Sequence, residues 1–64
     1  MSISYFVTFS QPQHVLRGDV VCECTRLPVT GIEYAELDAA RRELQELAAR
    51  TDKPLEVSRY ETFF

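Results

Sequence analysis

Between Ile3 and Ser10 apolar and polar side chains alternate, with Ile3, Tyr5, Val7 and Phe9 on one side and Ser4, Thr8 and Ser10 on the other. A period of two in β-branched and aromatic residues marks a half-buried strand. The wholly apolar side is expected to face the core, which leaves Phe6 as the large apolar residue on the opposite side. From Ser10 to Asp19 the pattern is broken by Pro12 and Gly18. This stretch is longer than a tight hairpin turn, and its Val15 and Leu16 are expected to fold back over the core. Alternation resumes from Asp19 to Leu27, with Val20, Cys22 and Cys24 on one side and Val21, Glu23 and Thr25 on the other. Pro28, which offers no N–H to a ladder, ends it.

Beyond Pro28 the period changes to that of a helix. Tyr34, Leu37, Ala40, Leu44, Leu47 and Ala48 wheel onto a single stripe. Thr30 and Glu33 have the spacing of a capping box, and Glu36 and Asp38 place acid in the early turns, where the helix dipole favours it. The predicted helix runs from about residue 33 to about residue 50 and must stop before Pro54. The last segment begins a third strand with Leu55 and Val57 inward, yet strict alternation would turn Arg59 and Glu61 inward as well. Either a bulge near Ser58 to Tyr60 shifts the register, or the strand leaves the core there.

Strand, strand, helix, strand defines a single small α+β domain of ββαβ plan over residues 1–64. The first two strands are expected to pair antiparallel, and a right-handed crossover through the helix returns the third parallel to the second. The expected sheet is three-stranded, antiparallel or mixed, in the order 2-1-3, with the most apolar strand central and one helix on one face.

Size and charge narrow the function. A chain of 64 residues buries only roughly 60% of its unfolded surface and has little room for a deep cleft. Ten acidic against seven basic residues give a net charge of −3, the wrong sign for neutralising phosphates, so direct nucleic-acid binding is not expected. An acidic balance suits a protein partner with a basic surface. The start "MSISYFVTFSQ" lacks the basic opening of a signal peptide, and no apolar run approaches the ~20 residues that cross a bilayer, so a cytoplasmic location with no membrane partner is expected.

The candidate chemistry is thin. Cys22 and Cys24 share one strand face and are expected to be inward-facing core residues, since free cysteine behaves as a small hydrophobe. A disulfide between them would close a very tight ring. Zinc would need about four ligands, and His14 is the one other good candidate in the sequence. His14 has no nucleophile placed beside it by any motif, and neither Gly18 nor Gly31 belongs to a phosphate-cradling loop. The expectation is a protein that is not an enzyme and carries no cofactor or metal.

That leaves the surfaces. Glu36, Glu43 and Glu46 fall on one helix flank, and the plain account of it is a solvated face stitched by Asp38–Arg42 and Glu46–Arg50 pairs. The sheet face away from the helix would carry Phe6, Val21, Glu23, Thr25, Glu56, Ser58, Tyr60 and Phe64. Aromatic anchors inside a polar rim characterise binding interfaces. Alternatively, the terminal "YETFF" folds over the sheet or the helix end and completes the core. Glu23 and Glu56, with Asp19 and Glu33 at element ends, are spaced to imitate the phosphate track of a duplex.

In size, acidity and element order, and in the stretches "YFVTFS", "GDVVCECTRLP" and "YAELDAARRELQELAAR", the chain resembles small phage-encoded anti-CRISPR proteins that block type I Cascade complexes. The resemblance implies occupation of a basic channel on a Cascade subunit, by bulk or by DNA mimicry, so that duplex DNA is not loaded. The candidate contacts are Glu23, Glu33, Glu36, Glu43, Glu46 and Glu56, with Tyr60 as an anchor, on a monomer or weak homodimer. The alternative is a small assembly protein that dimerises or docks through its open sheet face.

Overall fold

The computed structural model describes residues 1–63 and contains β1 (Ser2–Phe9), β2 (Gln13–Arg17), β3 (Val20–Cys24), α1 (Leu37–Ala48) and β4 (Leu55–Thr62). β1 forms where the alternation is strongest, and β4 lies antiparallel beside it, in register from Ser2 opposite Thr62 to Phe9 opposite Leu55. Residues directly opposite share a face. Ile3, Tyr5, Val7 and Phe9 therefore sit on one face with Leu55, Val57, Arg59 and Glu61, while Ser4, Phe6 and Thr8 share the other with Glu56, Ser58 and Tyr60.

The helix covers the apolar face. Tyr34 is bridged to Tyr5 and so shares its face, and the Tyr34 side chain lies beside Glu43 and Glu46 of α1. α1 packs on both β1 and β4. Val7, 2% exposed, and Ala40, 0% exposed, are the fully buried apolar residues described. Ala40 allows the close approach because it has no side chain beyond Cβ. No helix among the described residues is long and apolar enough to cross a membrane.

The expected three-stranded 2-1-3 sheet does not form. There are two separate two-stranded sheets, β1 with β4 and β2 with β3. The stretch between Pro12 and Gly18, expected to be a loop folded over the core, is a strand that pairs with the very next one. Arg17 opposite Val20 leaves only Gly18 and Asp19 to turn the chain. Gly18 takes φ +61° and Asp19 stays at negative φ, the pattern of a type II′ hairpin turn. Closing so short a loop costs far less entropy than carrying residues 19–27 back to β1. Leu16, expected to be covered, is 68% exposed as a result.

The free edge of β1 is met instead by the extended chain after the hairpin. Tyr5 and Tyr34 exchange backbone hydrogen bonds of 2.8 and 2.9 Å. Pro28 sits opposite Thr8, where its missing N–H is of no consequence, because the bonds run from Phe9 N to the Leu27 carbonyl and from Val29 N to the Val7 carbonyl. This commitment shortens the helix. It starts at Leu37, not near residue 33, because Tyr34 is already bonded to β1. The capping box is absent: the Thr30 hydroxyl accepts from Ile32 N, and the Glu33 carboxylate accepts from Ser4. Glu36 occupies the N-cap position without a side-chain capping bond.

β4 resolves the question of its register. It runs unbroken to Thr62 with no bulge, and Arg59 and Glu61 stay on the face of Leu55 and Val57, exposed and ion-paired with each other. The expected Asp38–Arg42 and Glu46–Arg50 pairs do not form; Arg59–Glu61 is the salt bridge found among the described residues. Phe63 is 72% exposed, so the tail described does not close over the sheet, and Phe64 lies outside the described residues.

Candidate partner-binding face

The sheet face opposite the helix is built from small hydroxyl residues between two aromatic rings. Phe6 stands directly across from Ser58, and Tyr60 directly across from Ser4. Their rings meet on the diagonal, edge to face, with centroids 5.3 Å apart and planes at 90°. This is the preferred arrangement of aromatic quadrupoles. Beneath and beside them Ser4, Thr8 and Ser58 are buried, and Thr8 Oγ1 lies 2.6 Å from Ser58 Oγ. Thr8 Oγ1 also lies 3.5 Å from the Glu56 carbonyl, and in the shorter bond either hydroxyl can be the donor.

Two acids flank the rings. Glu56 is exposed on this face across from Thr8. Glu33 is drawn in by the Ser4 hydroxyl, which donates to its Oε1 at 2.5 Å. No residue on this face of β1 and β4 is basic; Arg59 points to the other side. α1 is the described element that packs closely on β1 and β4, and on the face away from it Tyr60 is 37% exposed and Phe6 half-buried, while Ser4, Thr8 and Ser58 are shielded from water.

The predicted contacts fall into three places. Glu33, Glu56 and Tyr60 share with Phe6 the sheet face away from the helix. Glu36, Glu43 and Glu46 ride on α1 or its N-cap, against the opposite face of the sheet. Glu23 stands on the outward face of the β2–β3 hairpin, across from His14, together with Val21 and Leu16. Val21, Glu23 and Thr25 thus do not belong to the open face they were expected to share with Phe6. Of the candidate acids, Glu33 is brought to the aromatic pair by a serine that alternation alone marks as solvent-facing.

The cysteines also move. Cys22 and Cys24 keep a common face, but it is a hairpin face shared with Val15 and Gln13, and both thiols are free and half-buried rather than core. His14 points from the other face of the hairpin. Among the described residues no group of three or more His, Cys, Asp or Glu residues is placed to hold a metal ion.

On the helix side, Tyr34 is the titratable group whose environment stands out. Partial desolvation, then the nearby Glu43 carboxylate, then Glu46 raise its phenol above the ordinary value of 10.0. The raised value favours the neutral ring in the folded state. Its contribution is therefore intact below pH 10.0 and is lost as pH climbs through the higher folded value. Glu43→Gln is expected to lower the Tyr34 midpoint, followed through its ring proton shifts by NMR in an alkaline titration. An unchanged midpoint would remove Glu43 as a cause.

Comparison of the chain with protein families, with curated proteins and with solved structures finds no match.

Proposed function

We propose that the protein acts by binding, as a non-enzymatic inhibitor that lays its Phe6–Tyr60 face on a basic, nucleic-acid-holding surface of another protein. The observation that carries this reading is the partly exposed aromatic pair on the sheet face away from the helix, flanked by Glu33 and Glu56, with no basic residue on that face of β1 and β4. Tyr60, at 37% exposure, and the half-buried Phe6 supply the apolar anchor, and the carboxylates supply the charge that steers the encounter. The target class follows from the resemblance to type I anti-CRISPR proteins: a Cascade subunit whose channel holds duplex DNA. The carboxylates of Glu33 and Glu56 would occupy positions that phosphates take, and the helix acids Glu36, Glu43 and Glu46 and the hairpin Glu23 lie outside the contact.

The test is competition on a purified type I Cascade complex, read as loss of target-duplex binding on addition of the protein. Wild type is expected to compete and to weaken as salt rises. Tyr60→Ala and Glu56→Lys are each expected to weaken competition by about tenfold, in line with a hot-spot anchor and a contact charge. Absence of competition by the wild type would remove the Cascade assignment. Full competition by both variants, with loss on Glu43→Lys instead, would move the contact to the helix and overturn the sheet-face reading.

A further inference from the structure

β4 has a second edge. β1 takes one side of it over the full eight residues, and no described segment bonds to the other. Long, regular, unpaired edges invite another strand, and proteins blunt them with proline, bulges or inward-pointing charge. β4 has neither proline nor bulge between Leu55 and Thr62, and the two charges on its helix-side face, Arg59 and Glu61, are of opposite sign. Charges of one sign would repel a second copy. These do not.

The backbone decides which registers are open to such a copy. Tyr5, Val7 and Phe9 direct their backbone groups to the 27–34 segment. Ser4, Phe6 and Thr8 therefore direct theirs to β4, where they face Tyr60, Ser58 and Glu56. On β4 it is then Val57, Arg59 and Glu61 whose N–H and C=O groups point outward. A two-fold antiparallel pairing of β4 with itself must set these residues opposite one another, so its axis passes through a residue and not between two. An axis at Arg59 opposes two arginines, and one at Glu61 opposes two glutamates. An axis at Ser58 sets Arg59 against a valine. Only an axis at Tyr60 sets Arg59 against the partner's Glu61 and Glu61 against the partner's Arg59.

We propose that the protein forms a homodimer by joining its β4 edges antiparallel about Tyr60. The Arg59–Glu61 contact within one strand is replaced by two ion pairs between strands, on residues whose backbone groups also bond across the joint. Tyr60 meets the partner's Tyr60 as a non-hydrogen-bonded pair, the kind that brings side chains closest. The exposed Phe63 comes to lie across from the partner's Val57. Because the axis is perpendicular to the sheet, both helices fall on one side, and both Phe6–Tyr60 pairs on the other, in one continuous face. The joint is isologous and closed, so association stops at two. It uses the edge of β4 and stands whether or not the face binds Cascade.

Sedimentation equilibrium across a concentration series tests it, with circular dichroism confirming that each variant folds. Exposed ion pairs of this kind add little to the fold, so the charge variants are expected to stay native. Wild type is expected to dimerise. Arg59→Glu and Glu61→Arg each turn two attractive pairs into repulsive ones and are expected to weaken the dimer by about tenfold or more. An equal mixture of the two single variants restores opposite charge at every pair and is expected to dimerise again, as is the double variant. Glu61→Pro removes an outward N–H while leaving the β1 ladder intact, and is expected to weaken association as well. A wild type that stays monomeric, single variants that dimerise as well as wild type, a mixture no tighter than its components, or a dimer indifferent to proline would each overturn the proposal.

Discussion

Ala40→Asp is expected to leave the chain unfolded. Ala40 is 0% exposed and lies on α1, which packs on β1 and β4, so a carboxylate there is shut off from solvent. An unpaired buried charge costs several kcal/mol even after relaxation. A chain of 64 residues whose two cysteines are free has only about 3–5 kcal/mol of net stability from its core. The cost meets or exceeds the whole margin. Far-UV circular dichroism and amide dispersion by NMR should show loss of cooperative structure at neutral pH. A variant that melts cooperatively within about 1 kcal/mol of wild type would show that α1 does not close on the sheet at this residue. Ala40→Leu probes the same spot by size, and overpacking there is expected to cost about 1–3 kcal/mol.

The second large effect lies on the other side of the sheet. Thr8→Val replaces a fully buried hydroxyl by a methyl of nearly the same shape, and leaves Ser58 Oγ without its 2.6 Å partner. Removing one member of a buried hydrogen-bonded pair costs about 1–3 kcal/mol, whereas replacing both by apolar groups is close to neutral. Thr8→Val alone should therefore destabilise by that amount in urea unfolding. Adding Ser58→Ala should return most of it, although Ser58→Ala alone is also destabilising. Additive losses in the double variant would show that the two hydroxyls do not depend on each other. This face carries its small polar residues under an aromatic pair, so the same cycle tests whether the platform beneath Phe6 and Tyr60 is rigid.

Much of this architecture is legible in residue order. The alternation from Ile3 to Phe9 marks β1 and its inward face, and Val7 is buried as that pattern requires. The stripe through Leu37, Ala40, Leu44 and Leu47 marks the helix and the side it buries. The run "LEVSRYET" pairs along its whole length, and the apparent conflict at Arg59 and Glu61 needed no bulge. The two charges remain exposed and pair with each other. Gly18–Asp19, flanked by alternating residues, forms a two-residue hairpin loop, which implies a strand on both sides and not the loop over the core that Pro12 and Gly18 suggest.

Other features have no counterpart in any local pattern. The spacing of Thr30 and Glu33 is that of a helix cap, yet Glu33 is held by Ser4, 29 residues away, and Tyr34 is bonded to Tyr5. The candidate acids could be named from the sequence, but their division among sheet face, helix and hairpin could not. Cys22 and Cys24 show the same limit: their common face was readable, and its place on a separate hairpin beside Val15 was not. Periodicity records which side of a segment leaves water, because burial selects side chains position by position. It does not record which strand lies beside which. That choice is made by backbone N–H and C=O groups, which are alike in every residue, and by the entropy of closing the chain between them. So the faces of β1, α1 and β4 are written in their side chains. The separation into two sheets, the early use of residues 27–34 at the edge of β1, and the pairing of Phe6 with Tyr60 beside Glu33 arise only once the chain has closed on itself.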